Sequence, residues 1–205
     1  MTGTGLYLQL AYGITEHIEV LARDGVRFGT FGEYVRAEQY GRLYTTDGAL
    51  PPGPGPVSNP DLVFLFRFVD LGWLEVGAEA EAGFPVETGT RFDNTVGVLT
   101  TLHYAPWVRF DTGAFVTLAY YSPVQPSFTA PFELWFQTGK FPLWFGPLPA
   151  IDVSYKGTLT VPFGVGAGYA VNKDIDIRAE WLVPAINESP GASDTGFGLG
   201  VEVRH

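Results

Sequence analysis

The sequence predicts an all-β protein, specifically a transmembrane antiparallel up-and-down β-barrel of about twelve strands, with about ten as the fallback count. Three observations predict this fold: apolar and polar residues alternate along most of the chain, the alternating segments are long, and glycine recurs at the polar positions. With 205 residues, the chain is large enough for one domain over 1–205 and too small for two well-cored domains.

The composition excludes several classes of protein. Only 17% of the residues are charged, against roughly a quarter in ordinary soluble domains, while aromatic residues reach 15%. The chain has no cysteine, which excludes disulfides and thiolate metal sites, and its net charge of −10 argues against binding nucleic acid. No apolar run approaches the roughly 18 to 20 residues of a membrane-spanning helix. The first residues, MTGTG, do not resemble a secretory leader, so we expect either a cytosolic chain or a mature form without one.

The N-terminal strands are predicted from side chains that alternate between two faces. The segment 6–14 carries large apolar residues at every second position, and the segment 74–84 opposes apolar residues to Glu75, Glu79 and Glu81. Three weaker candidates are 17–28, 33–45 and 61–69.

The middle of the chain continues the pattern. In 108–119 the polar face carries Arg109 and Asp111, and in 128–137 it carries Glu133 opposite three phenylalanines. The segments 93–104 and 142–155 are weaker. The segment 142–155 is the least secure, because each of its three prolines removes a backbone donor from the sheet.

Three strands are predicted at the C-terminal end. The segment 158–171 alternates apolar residues with glycine, threonine and proline, and 174–183 places Asp176, Arg178 and Glu180 on one face. The last segment, 196–204, opposes Glu202 and Arg204 to an apolar face.

Two kinds of closed or stacked sheet fit this alternation. In a soluble sandwich or lipocalin-like barrel the apolar face is the core, whereas in an outer-membrane barrel it contacts lipid and the polar face lines the interior. Many segments alternate over about 10 to 14 residues, which suits a bilayer-crossing strand better than a typical soluble one. Glycine on the polar face is explained by crowding inside a barrel, or by the room that long charged side chains need. We therefore expect the outer-membrane arrangement.

The connections favour the same arrangement. Tight turns are predicted at 70–72, 105–106 and 172–173, whereas 46–60, 86–92 and 185–195 are longer and rich in glycine, proline, serine and asparagine. Short turns on one side and long loops on the other are typical of membrane barrels. Aromatic residues near strand ends suit a membrane interface. The candidates are Trp73, Tyr104, Trp107, Tyr169 and Trp181.

The chain also resembles bacterial outer-membrane β-barrel proteins. Its last segment, GFGLGVEVRH, is similar to their terminal strand, with Phe197, Leu199 and Val201 at alternate positions. His205 stands where that strand normally ends in Phe or Trp, either as a native residue or as the start of a purification tag. The runs at 12–20 and 169–177 look like turn motifs of such barrels, including those of aromatic-degradation pathways. The resemblance implies an outer-membrane location and names no transported compound.

One conflict concerns the orientation of the turns. With twelve strands and both termini at the periplasmic end, 70–72, 105–106 and 172–173 share that end, but the turn at 15–17 does not. Its likeness to 172–174 suggests that it should. Either the likeness is accidental, or 33–45 is a loop and the first strand is placed differently.

The interior face carries the candidate functional residues. We expect these side chains to line the lumen: Glu75, Glu79, Glu81, Arg109, Asp111, Glu133, Asp176, Arg178, Glu180, Glu202 and Arg204. One interpretation is a narrow channel for small solutes with a preference for cations. The alternative is a lumen plugged by salt bridges, in a barrel that anchors or contacts other envelope proteins. We expect the lipid bilayer as a partner, and no metal or cofactor.

A lipid hydrolase inside the barrel is a third possibility, because some outer-membrane barrels of this size are hydrolases. Such chemistry needs a nucleophile beside a base. His103 is the one histidine placed on the interior face, while His17 falls in a turn, and no strand serine is an evident partner. We therefore expect no enzymatic activity.

Overall fold

A computed structural model describes residues 2–29, 35–37, 43–45, 60–86, 92–137, 143–183, 186–187 and 195–204. These residues form strands, turns and irregular segments, and no helix among them is long and apolar enough to cross a membrane. The strands are β1 (Thr2–Gly13), β2 (Ile18–Gly29), β3 (Val35–Ala37), β4 (Leu43–Thr45), β5 (Asp61–Asp70), β6 (Leu74–Gly83), β7 (Asp93–Ala105), β8 (Val108–Ala119), β9 (Gln125–Gln137), β10 (Leu143–Val153), β11 (Leu159–Thr160), β12 (Phe163–Ala170), β13 (Ile175–Val183) and β14 (Thr195–Arg204).

The main sheet closes into a barrel, which confirms the predicted fold class. Among the described residues it contains twelve strands in the order β11-β10-β12-β13-β14-β1-β2-β5-β6-β7-β8-β9, and β9 also pairs with β10. The short β11 continues the line of β12, since Thr160 and Phe163 keep the same register against β10. Val161 and Pro162 separate the two pieces. The closed ring therefore has eleven strand positions.

The ring closes with one parallel pair. Thr2 to Ala11 of β1 run alongside Thr195 to Arg204 of β14 in the same direction, whereas the other paired strands that the structure describes are antiparallel. An odd number of alternating strands requires one such pair. The expectation that both termini lie at one end is therefore wrong: Thr2 and Arg204 lie at opposite ends of the barrel.

The same arrangement resolves the conflict over the turns. β3 and β4 pair only with each other in a separate two-stranded sheet, so the prediction of 33–45 as a barrel strand is wrong. The turns at 14–17, 71–73, 106–107 and 171–174 consequently lie at one end, here called the turn end. The opposite end is called the loop end. The long loops predicted there, 46–60, 86–92 and 185–195, fall largely outside the described residues.

The side chains alternate between the outside and the inside of the barrel, as the period of two requires. In β5 the pattern is regular: Leu62, Phe64 and Phe66 are exposed, while Val63 and Leu65 are buried. The predicted segment 142–155 forms β10 despite its prolines. The barrel thus has a wall of well-defined inner and outer faces.

Candidate functional site

The outer surface of the barrel is apolar. Leucine, valine and phenylalanine side chains on its described strands are about half exposed, with Leu8 at 48% and Phe64 at 50%. The buried positions include many charged residues, so the usual distribution of a soluble protein is inverted. An apolar surface that continues around a closed barrel is far larger than the patches of monomeric soluble proteins.

Aromatic side chains border this apolar surface. At the turn end lie the predicted Trp73, Tyr104, Trp107 and Tyr169, and Tyr104 is 87% exposed. The rings of Phe136 and Phe145 continue the row. Their centroids are 5.8 Å apart, and Phe136 lies 6.4 Å from Trp107.

A second group of aromatic residues lies at the loop end. Phe92 packs against Phe84 and Tyr120, with centroid distances of 5.7 and 5.6 Å. The predicted Trp181 is exposed on the loop-end half of β13 rather than beside a tight turn. Both groups could be predicted from the sequence, because each contains aromatic residues next to strand ends.

The two groups are separated by about the thickness of a bilayer core. Phe92 and Tyr104 are connected by β7 and lie 12 residues apart in the chain. At about 3.3 Å per residue and a strand tilt of about 40°, this separation is about 30 Å along the barrel axis. The hydrocarbon core of a typical bilayer is about 30 Å thick.

The inner face carries the predicted lumen residues. Buried there are Glu79, Glu81, Asp111, Glu133, Asp176, Arg178, Glu180 and Glu202. Glu75 and Arg109 are only partly buried, because they lie near the turn end. Arg204 is the last residue of β14, and its side chain lies outside the described residues.

Arg23, which the alternation in 17–28 also places on the inner face, organises one half of the interior. The Nη1 of Arg23 lies 3.3 Å from Oε2 of Glu81, and its Nε donates a hydrogen bond of 2.7 Å to Gln9. All three side chains are buried. Arg23 and Glu81 are 58 residues apart in the chain, and the pairing of β2 with β5 and of β5 with β6 brings them together.

The other half of the interior contains an arginine next to a tryptophan pair. Arg178 forms an ion pair with Glu202 and lies 5.3 Å from the ring centroid of Trp144. Trp144 meets Trp135 edge to face with centroids 4.6 Å apart, and Trp135 packs with the buried Leu148. We call Trp135, Trp144 and Leu148 the tryptophan cluster. It gives this sector of the lumen an apolar lining.

Apolar side chains also fill the lumen between β1 and β8. Leu21, Leu65, Leu99 and Phe115 are buried together on the inner face, with Ala11 and Val63 at the edge of the group. We call this group the apolar plug. These residues interrupt the polar inner face. The apolar residues at inner-face positions could have predicted a plug from the sequence.

Inner-face glycines make room for the aromatic rings of both groups. A Cβ atom at Gly97 or Gly113 would collide with the ring of Phe115, and one at Gly168 would collide with Trp144. The predicted crowding is therefore confirmed, and aromatic rings rather than long charged side chains occupy the space.

The turn-end opening of the barrel is polar and contacts solvent. Oε1 of Glu75 lies 2.8 Å from Nε2 of His103, and its Oε2 lies 3.2 Å from Nε of Arg67. A cavity of about 100 Å³ lies beside this network, with Leu65 and Leu99 of the apolar plug among its lining residues. The plug therefore closes the inner end of the turn-end opening.

Carboxylates are crowded near the middle of the lumen. Glu133 is fully buried, and Asp111 is its neighbour across the β8–β9 ladder. Glu180 and Arg109 also act on Glu133 electrostatically. In the part of the chain that the structure describes, no group of three or more histidine, aspartate or glutamate side chains is arranged to hold a metal ion.

The two described histidines both lie at the turn end. His103 is held by Glu75 at the turn end, and His17 lies in the exposed turn between β1 and β2. His205 lies outside the described residues.

No family model matches the chain, and a search of curated proteins finds no match. The features that bear on function are therefore the apolar exterior and the closed, charged interior.

Proposed function

We propose that the chain is an integral β-barrel of the bacterial outer membrane. The inverted distribution of polarity carries this proposal, because an apolar exterior is stable against hydrocarbon and costly in water. The two aromatic groups, about 30 Å apart, fit the two interfaces of a bilayer.

The barrel serves best as a plugged scaffold that anchors or contacts other envelope proteins. The support is the filled lumen: Leu21 on β2, and Glu133 and Leu148 on the paired strands β9 and β10, are each inaccessible to solvent. The ion pairs of Arg23 and Arg178 hold the charged part of this filling together.

A narrow channel for small solutes, with a preference for cations, is the second candidate. Its support is the excess of carboxylates on the inner face and the solvent-filled opening at the turn end. In this arrangement, conduction requires the apolar plug to move.

The membrane location is tested with protein refolded in detergent and in lipid vesicles. We expect the folded protein to stay soluble only with detergent or lipid, and to run differently on a denaturing gel before and after boiling. A folded protein that is monodisperse in plain buffer contradicts the proposal.

Planar-bilayer recording separates the plugged scaffold from the channel. Silence of the inserted protein at all voltages supports the scaffold. Discrete currents that fall in the Glu75→Gln, Glu79→Gln double variant support the channel. Asp174→Asn is the control, because it removes a carboxylate from an exposed turn and should leave the currents unchanged.

We propose no catalytic role. His103 is engaged by Glu75, and the hydroxyl of Ser154 accepts a hydrogen bond from the Thr158 amide in a distant turn at the loop end. Release of fatty acid from phospholipid vesicles, abolished by His103→Ala, would contradict this proposal.

A further inference from the structure

The pairing of β9 with β10 is interrupted at mid-height. The strands pair at Phe145–Phe136 near the turn end and again from Ala150–Pro131 toward the loop end, in one constant register. Between these points, residues 146–149 and 132–135, all of which the structure describes, form no ladder pairs. We call this interval the β9–β10 gap.

Two prolines explain the gap. The Ala150 amide donates to the carbonyl of Pro162, so even-numbered residues of β10 bond toward β11 and β12. In an antiparallel strand the odd-numbered residues then bond toward the opposite neighbour, here β9. Pro147 and Pro149 are odd-numbered and have no N–H. Two successive donors are therefore missing from the same seam.

The acceptors on β9 lie opposite these prolines. The constant register places Leu134 opposite Pro147 and Phe132 opposite Pro149. The backbone of Gly146 lies close to the Leu134 carbonyl, since a Cβ atom at this position would collide with that carbonyl. The strands thus touch across the gap, and packing replaces the missing hydrogen bonds.

β9 is weakly bonded on its other side as well. Its pairing with β8 skips from Thr112–Phe132 to Phe115–Thr129, around Pro131. The hydroxyl of Thr112 donates a hydrogen bond of 2.8 Å to the Pro131 carbonyl in partial compensation. By contrast, β6 pairs with β7 without a break from Leu74 to Gly83.

The lumen directly behind the gap is apolar apart from one carboxylate: of the inner-face residues at this height, Trp135, Gly146 and Leu148 are apolar, and Glu133 is a buried acid. Leu148 and Trp135 of the tryptophan cluster are buried on its inner side, while Phe132 and Phe145 are exposed on the outer side. An apolar molecule that crosses the wall here passes from one apolar environment to another. Elsewhere the inner face presents buried charges such as Glu79 and Glu81.

We propose that the barrel opens sideways at the β9–β10 gap and admits small apolar molecules from the bilayer to the tryptophan cluster. This inference rests on the proposed membrane location. The plug closes the route along the axis, and the gap offers a route through the wall that breaks few hydrogen bonds.

The test uses fluorescence quenching by brominated lipid in vesicles. The chain has five tryptophans, so Trp73→Phe, Trp107→Phe and Trp181→Phe together leave only the tryptophan cluster to report. We expect partial quenching of Trp135 and Trp144. A disulfide from Ala130→Cys and Ile151→Cys, which are paired beside the gap, should remove this quenching. The matched disulfide from Val98→Cys and Ala114→Cys, on the continuous part of β7–β8, should leave it unchanged.

A second pair of variants tests whether the missing proline donors cause the opening. Pro147→Ala with Pro149→Ala restores two donors to the seam, and should lower the open population about 25-fold if each hydrogen bond changes the equilibrium about fivefold. Pro131→Ala, whose restored donor faces β8, should leave the quenching unchanged.

The outcomes separate this proposal from the membrane location. A variant that retains Trp107 alone should be strongly quenched once the barrel is inserted, since this side chain is exposed outside the wall. Quenching of Trp107 without quenching of the tryptophan cluster overturns the lateral opening alone, as does quenching of the cluster that persists with the Ala130–Ile151 disulfide. Absence of both signals overturns the membrane location.

Discussion

Single side chains show that the inner and outer faces of the barrel are under different packing constraints. On the inner face, an aromatic ring and a neighbouring glycine form one packing unit, as Phe115 does with Gly97 and Gly113. On the outer face, half-exposed aliphatic residues such as Val98 have no such constraint. Substitutions on the two faces should therefore lower the free energy of unfolding for different reasons.

Substitution of Gly97 by alanine should destabilise the barrel. The added methyl group would collide with the ring of Phe115 and with the Ala114 carbonyl, and such overpacking costs about 1 to 3 kcal/mol. Gly13→Ala is the control, because a Cβ there has no neighbour within 4 Å. The measurement is the free energy of unfolding in urea. Equal stability of the two variants would contradict the proposed packing.

An arginine on the outer face should report the surrounding solvent. Val98→Arg, near mid-height, should lower the free energy of unfolding in lipid vesicles by about 2 to 4 kcal/mol. Tyr104→Arg, near the turn end, should cost no more than about 1 kcal/mol. Both side chains are exposed, at 47% and 87%, so a water-facing surface would tolerate both substitutions equally.

At the scale of strands, the local alternation predicted which residues lie on the inner and outer faces. It did not predict which strands pair with each other. The alternation in 74–84 identified Glu75, Glu79 and Glu81 as inner-face residues, because the period of two is a local property. The segment 33–45 alternates too, but alternation does not say which sheet a strand joins, and β3 and β4 pair with each other in a separate sheet. The ion pair of Arg23 with Glu81 depends on the pairing of β2 with β5 and of β5 with β6, which no local pattern contains.

The parallel closure of the ring gives a test with engineered cysteines. Leu6→Cys with Leu199→Cys should form a disulfide, because these residues are direct partners in β1 and β14. Leu6→Cys with Val203→Cys should not, since Val203 lies about 13 Å further along the strand, beyond the reach of about 7 Å. The native chain has no cysteine, so gel mobility without reductant reports only the new bond. The reverse result would indicate antiparallel closure.

The whole molecule combines an apolar exterior with an interior that packs like a protein core. The sequence predicted the first property from strand length and glycine content. It did not reveal that apolar side chains close the lumen, because Leu21, Leu65 and Leu99 come from three strands that only the barrel assembles. The aromatic residues at the loop end were missed for a similar reason, since Phe84, Phe92 and Tyr120 become neighbours through pairing.

Removal of the apolar plug should change conduction. The Leu65→Ala, Phe115→Ala double variant removes one side chain that lines the turn-end cavity and one that is buried with it in the plug, and we expect it to raise the frequency of discrete currents in planar bilayers above that of the native barrel. Leu62→Ala with Phe64→Ala, on the outer face of the same region, is the control for general loosening. Equal conductance of the two double variants would show that the plug does not limit flow.

Because β1 and β14 pair in parallel, the start of β1 and the end of β14 lie at opposite ends of the barrel. A peptide fused ahead of Thr2 and one fused after Arg204 would emerge in different compartments once the wall is embedded, because the two strands run in the same direction. Barrels with an even number of strands return both tails to one compartment. In the proposed membrane arrangement, the start of β1 and the end of β14 therefore lie on different sides of the bilayer.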